Sequence, residues 1–176
     1  IARGLKIQDQ RGYNRFVSSQ PQYSALWRVI EAEVVPLSER EGIGQIVWSP
    51  MAQGVLTGKY LPGKKAPAGS RATDKKSGAA MISRWMKDDV LEAVQLLKPI
   101  AESVNLSMSQ MALAWVLQNP NISSAIMGAT KPAQIKDNVK ASGVKLPPEV
   151  MKAIDGAIGK VAERDPKKNV SPNPRP

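Results

Sequence analysis

The side chains able to do chemistry are few. The 176 residues contain no Cys and no His, which removes thiol nucleophiles, disulfides, imidazole general bases, Ser-His-Asp triads and nearly every zinc site. Three phenols remain, Tyr13, Tyr23 and Tyr60, each a proton donor only if a cation lowers its pKa and otherwise a packing residue. Two other stretches carry usable groups. In Gly128-Ala-Thr-Lys-Pro-Ala-Gln-Ile-Lys-Asp-Asn138, a strand hands over to a helix whose first N–H groups lack partners and suit a phosphate. Gly128 admits close backbone approach, Thr130 offers a hydroxyl and Lys131 a charge; Gln134, Asp137 and Asn138 recur at helical spacing, so Gln134 with Asn138 or Asp137 could share a face near an adenosine, and the same pattern also fits an ordinary capped helix. In Trp48-Ser-Pro-Met-Ala-Gln-Gly54, an indole at a strand's rim could stack on a flat ring, or simply pack.

Two phosphate motifs are excluded. Gly54-Val-Leu-Thr-Gly58-Lys59-Tyr60 has three residues between its glycines where a P-loop has four, and Tyr60 stands where that loop needs Ser or Thr. No G-x-G-x-x-G occurs, so a Rossmann site has no support.

The elements positioning these groups follow a β-then-α rhythm. Residues 15–20, 44–48 and 123–128 read as short buried strands, each followed by helical periodicity, which argues for parallel strands with crossover helices. Val29, Ile30, Val34 and Leu37 form a stripe within 25–41 that Pro36 must kink or end, and Pro99 predicts a break near Leu96 in the helix opened by Asp88 and Asp89. Ser107 with Gln110 makes a capping-box pattern for a helix that Asn119-Pro120 ends, and Leu146-Pro-Pro-Glu149 starts a last helix. Residues 49–85 are too long for an ordinary connection, and their position after a parallel strand favours ligand binding. From Asp165 the chain is polar and proline-rich and is expected to be loosely held.

A 42% hydrophobic, 23% charged composition is that of one folded unit. The net charge of +10 is concentrated at Lys64, Lys65, Arg71, Lys75 and Lys76 and again at Arg164, Lys167 and Lys168. With one Phe and three Tyr, this is read as a solvated surface or a site for a small ligand's phosphates, and no nucleic-acid partner is expected. No apolar run reaches membrane-spanning length and no signal peptide opens the chain, so a cytoplasmic location is expected. The first residue, Ile1, suggests a processed chain or a piece of a longer one. A (β/α)8 barrel takes about 250 residues, so three β/α units would make roughly its second half.

Four segments, Gln20–Ser24, Gly42–Tyr60, Met111–Pro120 and Ser124–Gln134, together resemble the C-terminal half of aldo-keto reductases, in the branch with potassium-channel beta subunits and many bacterial NADPH-dependent reductases. The resemblance runs from about Phe16 to Gly159. It implies a TIM-barrel fold, with residues 1–162 as the C-terminal part of the barrel, 49–85 as a long cofactor-side loop and 163–176 as a tail. It also implies NADP(H) bound in extended form across the strands' C-terminal rim. On the family pattern, Gln20 contacts the nicotinamide carboxamide and Trp48 stacks on its ring. Ser49, Pro50, Met51, Ala52, Gln53 and Gly54 run along the ribose and pyrophosphate, and Lys59, Ser70 and Arg71 lie in a loop that closes over the cofactor. Gly128, Thr130, Gln134, Asp137 and Asn138 hold the adenosine 2′-phosphate and adenine, with Lys131 a further phosphate contact. Where this chain has Asp137 the family more often has Glu.

The family's catalytic Asp, Tyr, Lys and His lie before the point where this chain begins, and none of the three Tyr matches the catalytic one, so no catalytic residue and no metal ligand is assigned. The implied activity is NADPH-dependent reduction of aldehyde or ketone carbonyls, this chain supplying the cofactor side. The alternative is a redox-sensing regulatory subunit that binds NADP(H) with little turnover. The implied partners are a small carbonyl substrate and either the N-terminal half or a second copy, because a half-barrel leaves an edge strand and the inner face of its sheet uncovered.

Overall fold

The structure is a computed structural model and describes residues 1–169. Three parallel strands, β1 (Ser18–Ser19), β2 (Gly44–Trp48) and β3 (Ile122–Ile126), form one sheet in the order β1-β2-β3. Ser18 lies opposite Gly44 and Trp48 opposite Ile126, with a register irregularity between Gln45 and Ile46. Parallel neighbours require long crossovers, and these hold the helices. Helix α1 (Ala2–Arg11) precedes the sheet and α2 (Val34–Glu41) joins β1 to β2. Between β2 and β3 run α3 (Gly78–Ile82), α4 (Asp88–Gln95), α5 (Leu97–Ser103) and α6 (Met108–Leu117); α7 (Pro132–Asn138) and α8 (Pro148–Ile158) follow β3.

The core lies on one side of this sheet. Gln45 and Val47 are fully buried beneath Leu26, Val55, Ala114, Val116 and their neighbours. The opposite face is open: Trp48 is 38% and Ile126 43% exposed, and Ser124 is exposed as well. The expectation of buried strands therefore holds for one face only, because helices cover one face only. This is a partial α/β arrangement with two sheet edges, β1 and β3.

Strand β1 is shorter than the 15–20 stretch expected. Its partner β2 begins at Gly44, opposite Ser18, and Arg15 instead makes ion pairs to Asp9 (2.9 Å) and Glu41 (2.7 Å). Pro21, lacking an N–H, accepts from the Trp48 N–H at 3.1 Å without donating back, so the ladder lapses and resumes only as an isolated bridge between Gln22 and Trp48. The 25–41 stripe is likewise not one helix but a 3-10 turn, Val29–Glu31, and then α2. Pro36 is the third residue of α2, where the missing N–H has no intrahelical acceptor to lose. Pro99 takes the same place in α5, and the chain breaks at Leu96. Helix α1 was not expected: it buries only Leu5, so it carries almost no apolar periodicity, and it ends on Gly12 at φ +67°.

Residues 49–85 are not shapeless; 3-10 turns at Ala52–Thr57, Arg71–Thr73 and Ser83–Trp85 and helix α3 divide them. The tail is also tied down at its start. Glu163 exchanges backbone hydrogen bonds with Leu26 and Arg28, and Asp165 caps a turn at Pro166–Lys168. The rest of the expected loose tail, 170–176, lies outside the described residues. Among the described residues, no helix is long and apolar enough to cross a membrane.

Candidate functional site

The C-terminal ends of β2 and β3 open onto a cleft of about 450 Å³. The segment leaving β2 supplies Ser49, Pro50, Met51, Gln53, Gly54 and Lys59, and the turn before α3 adds Ser70 and Arg71. The β3–α7 junction supplies Gly128, Thr130, Gln134, Asp137 and Asn138 on the opposite wall. Thus two stretches some 75 residues apart in sequence, singled out separately, meet across one space. Four expected residues do not line it. Ala52 is fully buried beneath the loop, Lys131 and Gln20 are exposed but not among the lining residues, and Trp48 stands at its edge, paired in register with Ile126, which does line it.

The backbone leaving β2 is held in an uncommon shape. Ser49, Ala52 and Gln53 have φ of 56°, 48° and 61°, left-handed values that L side chains seldom adopt, and Gly54 follows at 95°. Each non-glycine residue so placed costs roughly 1–3 kcal/mol, and such costs gather at ligand sites. Burial of Ala52, Val55 and Leu56 anchors the turn from below, and Gln53 Nε2 donates to Ser49 Oγ at 2.5 Å. Gly54 lies under Lys59: a Cβ there would sit 3.4 Å from Lys59 Nζ.

On the other wall, Gln134 Oε1 accepts from the Thr130 N–H (2.7 Å), the Thr130 hydroxyl (3.2 Å) and the Lys131 N–H (3.2 Å). One neutral amide oxygen thus gathers three donors at the spot where an anionic oxygen would bind more strongly. Asp137 is fixed by α6. Gln110, almost fully buried, receives the Ser107 N–H on Oε1 at 3.0 Å and donates through Nε2 to the Asp137 carbonyl (3.1 Å) and carboxylate (2.8 Å). The capping box that starts α6, closed by Ser107 Oγ accepting from the Gln110 N–H, therefore also holds α7 in place.

Arg71 is set by its own loop. Asp74 accepts the Lys76 and Gly78 N–H groups at 3.0 and 3.1 Å, and these backbone donors, first of all Lys76, hold its carboxyl below the usual range. Gly78 is needed there, since a Cβ would lie 2.5 Å from the Arg71 carbonyl oxygen.

Three features of the cleft suit a phosphate-bearing ligand. Lys59 and Arg71 supply two cations. Ser70 Oγ and Gln53 Oε1 are buried without hydrogen-bond partners among the described residues. The space beside Gly128 is open, with nothing within 4 Å of where a Cβ would be. Proton chemistry by the phenols is not supported: Tyr23 is buried against Glu31, which accepts its hydroxyl at 2.8 Å, and burial first, then the Glu31 charge, raises its pKa. Tyr60 is also buried, Tyr13 is exposed, and none of the three phenols lines the cleft.

Thr57, Ser109, Ile126 and Met127 also line the space and were not singled out. Ile126 and Met127 were open to inference as the C-terminal end of a parallel strand, whereas Ser109 enters only through the approach of α6, which local sequence does not encode.

Residues 3–158 match the family model described as the aldo/keto reductase family. Over 145 residues, 81% of this chain, it is 43% identical to a probable voltage-gated potassium channel subunit beta of Oryza sativa subsp. japonica, covering 44% of that protein. A protein of the same description from Arabidopsis thaliana is 42% identical over 145 residues, with the same coverage. Protein tas of Escherichia coli K12 is 34% identical over 155 residues, 88% of this chain and 43% of that protein. The chain thus spans less than half the length of these relatives.

Proposed function

Since the chain belongs to the aldo/keto reductase family, whose fold is a (β/α)8 barrel, we propose that its cleft is the NADP(H)-binding side of an oxidoreductase that reduces aldehyde or ketone carbonyls to alcohols. The observation that carries this is the meeting of the β2 exit loop, the Arg71 turn and the β3–α7 junction around one space with two cations and two unpartnered buried polar atoms. When bound, the nicotinamide supplies hydride to a carbonyl carbon. The residues of this chain bind and orient it. Lys59 and Arg71 neutralise phosphate charge, and the left-handed backbone at Ser49–Gly54 offers its polar groups to ribose and pyrophosphate. Trp48, at the cleft's edge, presents a ring face for the nicotinamide, and Gln20 reaches its carboxamide. Thr130, Gln134 and Lys131 receive the 2′-phosphate, Gln134 yielding its three donors to the incoming oxygens, while Asp137 and Asn138 meet the adenine. Protonation of the carbonyl oxygen belongs to groups of the whole protein outside this chain, as does the substrate pocket, and the cytoplasm is the working location.

The test is a thermal melt with saturating NADPH, with NADH and with neither. A larger rise with NADPH than with NADH is expected, because a ligand that binds only the native state stabilises it by mass action. No rise with either would refute the reading. Lys131→Ala should narrow the difference between the two cofactors; an equal loss for both would move the 2′-phosphate elsewhere.

A second reading rests on the similarity to proteins described as channel beta subunits: a regulatory subunit that binds NADP(H) as a redox signal with little turnover. Turnover of a generic aldehyde by the complete protein separates the two. Binding with near-zero turnover would favour regulation.

A further inference from the structure

The second basic cluster of the sequence, at the chain's C-terminal end, has no part in the cofactor cleft. The fold gathers two of its members, Lys167 and Lys168, with two tryptophans around a separate cleft of about 730 Å³, between the start of α4 and the segment after α8. Trp27 and Trp85 meet there edge to face, their ring centres 6.3 Å apart and planes at 84°. The Arg84 guanidinium lies 4.6 Å from the centre of the Trp27 ring and 6.0 Å from that of Trp85. Lys87, Lys160, Lys167 and Lys168 complete the cationic lining, against Asp89 and Glu163 alone. Glu163 is taken up by Lys168, whereas Arg84, Lys87, Lys160 and Lys167 make no ion pair among the described residues.

One donor here lacks an acceptor. Trp85 is only 4% exposed, and its indole N–H has no hydrogen-bond partner among the described residues. Buried donors are normally paired, and leaving one unmet carries a desolvation cost that a ligand oxygen would remove. The cleft therefore combines uncompensated cations, an indole donor and aromatic walls, and it has room for a nucleotide-sized molecule. We propose that it is a second binding site for a small ligand bearing two or more linked phosphates, with the cations taking the phosphate oxygens and Trp85 Nε1 donating to one of them. The site shares no lining residue with the cofactor cleft, so it stands whether or not that cleft binds NADP(H).

The experiment follows the indole N–H resonances of the whole chain in a proton–nitrogen correlation spectrum during titration with tripolyphosphate. The four tryptophans give four such peaks, and Trp85→Phe identifies its own by loss; if that variant does not fold, Trp27→Phe, Trp48→Phe and Trp115→Phe assign it by elimination. The Trp85 peak is expected to move saturably. Arg84→Gln combined with Lys160→Gln should raise the half-saturating concentration at least tenfold, and added KCl should raise it further. Lys75→Gln, an exposed cation elsewhere, and Lys59→Gln, in the cofactor cleft, should leave it unchanged. A Trp85 peak that stays still, or that drifts without saturation, overturns the proposal. So does an equal weakening by Lys75→Gln, which would mean diffuse charge attraction, or a loss confined to Lys59→Gln, which would put the phosphates in the other cleft.

Discussion

Gln110→Met separates the stability of helix α6 from its hold on the cleft. Methionine has nearly the length of glutamine and fills the same buried space, so little cavity follows. What disappears is three hydrogen bonds: the acceptor for the Ser107 N–H, and the two Nε2 bonds to the Asp137 carbonyl and carboxylate at 3.1 and 2.8 Å. Neutral bonds contribute about 0.5–1.5 kcal/mol and those to a charge about 1.5–3 kcal/mol; since two share one nitrogen, the loss should be about 3 kcal/mol. For a chain of this size each kcal/mol moves the melting temperature by about 2–4 °C, giving a fall of about 6–12 °C. The control is Gln118→Met at the other end of the same helix. Gln118 also makes three bonds, donating to the Ala114 and Val144 carbonyls at 2.7 and 3.0 Å and accepting the Leu146 N–H at 3.2 Å, and none of them touches the cleft. Both variants should melt early. Only Gln110→Met should lose more than half of the added stability that saturating NADPH confers, because only it releases Asp137 and Asn138 from their setting. Equal NADPH increments in the two variants would refute the claim that α6 positions the adenosine wall.

Gly78→Ala should cost about 1–3 kcal/mol and weaken NADPH binding, since the new Cβ would press on the Arg71 carbonyl oxygen at 2.5 Å; a melt and a binding titration check both. Trp48→Ala should remove most of the fluorescence quenching that NADPH causes, with little loss of stability because the ring is 38% exposed; unchanged quenching would mean that the ring does not stack. Tyr23, with its pKa raised by burial and by Glu31, stays protonated in the native state after an unfolded-state phenol has ionised. Its contribution is therefore present in full below pH about 10 and is lost as pH rises towards its native value, at up to about 1.4 kcal/mol per pH unit. Tyr23→Phe should flatten that alkaline decline in denaturant melts between pH 9 and 11.

The parts of the fold that were legible are those set by local rules. Gly44–Trp48 emerged as a strand with its observed bounds, Ser107 and Gln110 marked the start of α6, and Pro99 located the break at Leu96. What local rules could not supply was set by contacts distant in sequence. The length of β1 depends on where β2 begins beside it, and the one bare face of the sheet depends on which side the helices take. The site divides in the same way. Most of Ser49–Gly54 and part of Gly128–Asn138 line the cleft, and their place there is legible because each stretch follows a parallel strand. The second role of Gln110, holding Asp137 as well as capping its own helix, was hidden because 27 residues separate the partners.

The left-handed run at Ser49, Ala52 and Gln53 bears on how this sequence should be redesigned and how it should drift. A design procedure that scores each position by stability alone would place glycine or asparagine at Ser49 and Gln53, relaxing the turn and dissolving the Ser49–Gln53 clamp. On the proposed cofactor-binding role, divergence in copies relieved of that task would move the same way. Non-glycine residues kept at these positive-φ positions in distant relatives would then record a retained binding task, and their replacement by glycine would be an early trace of its loss.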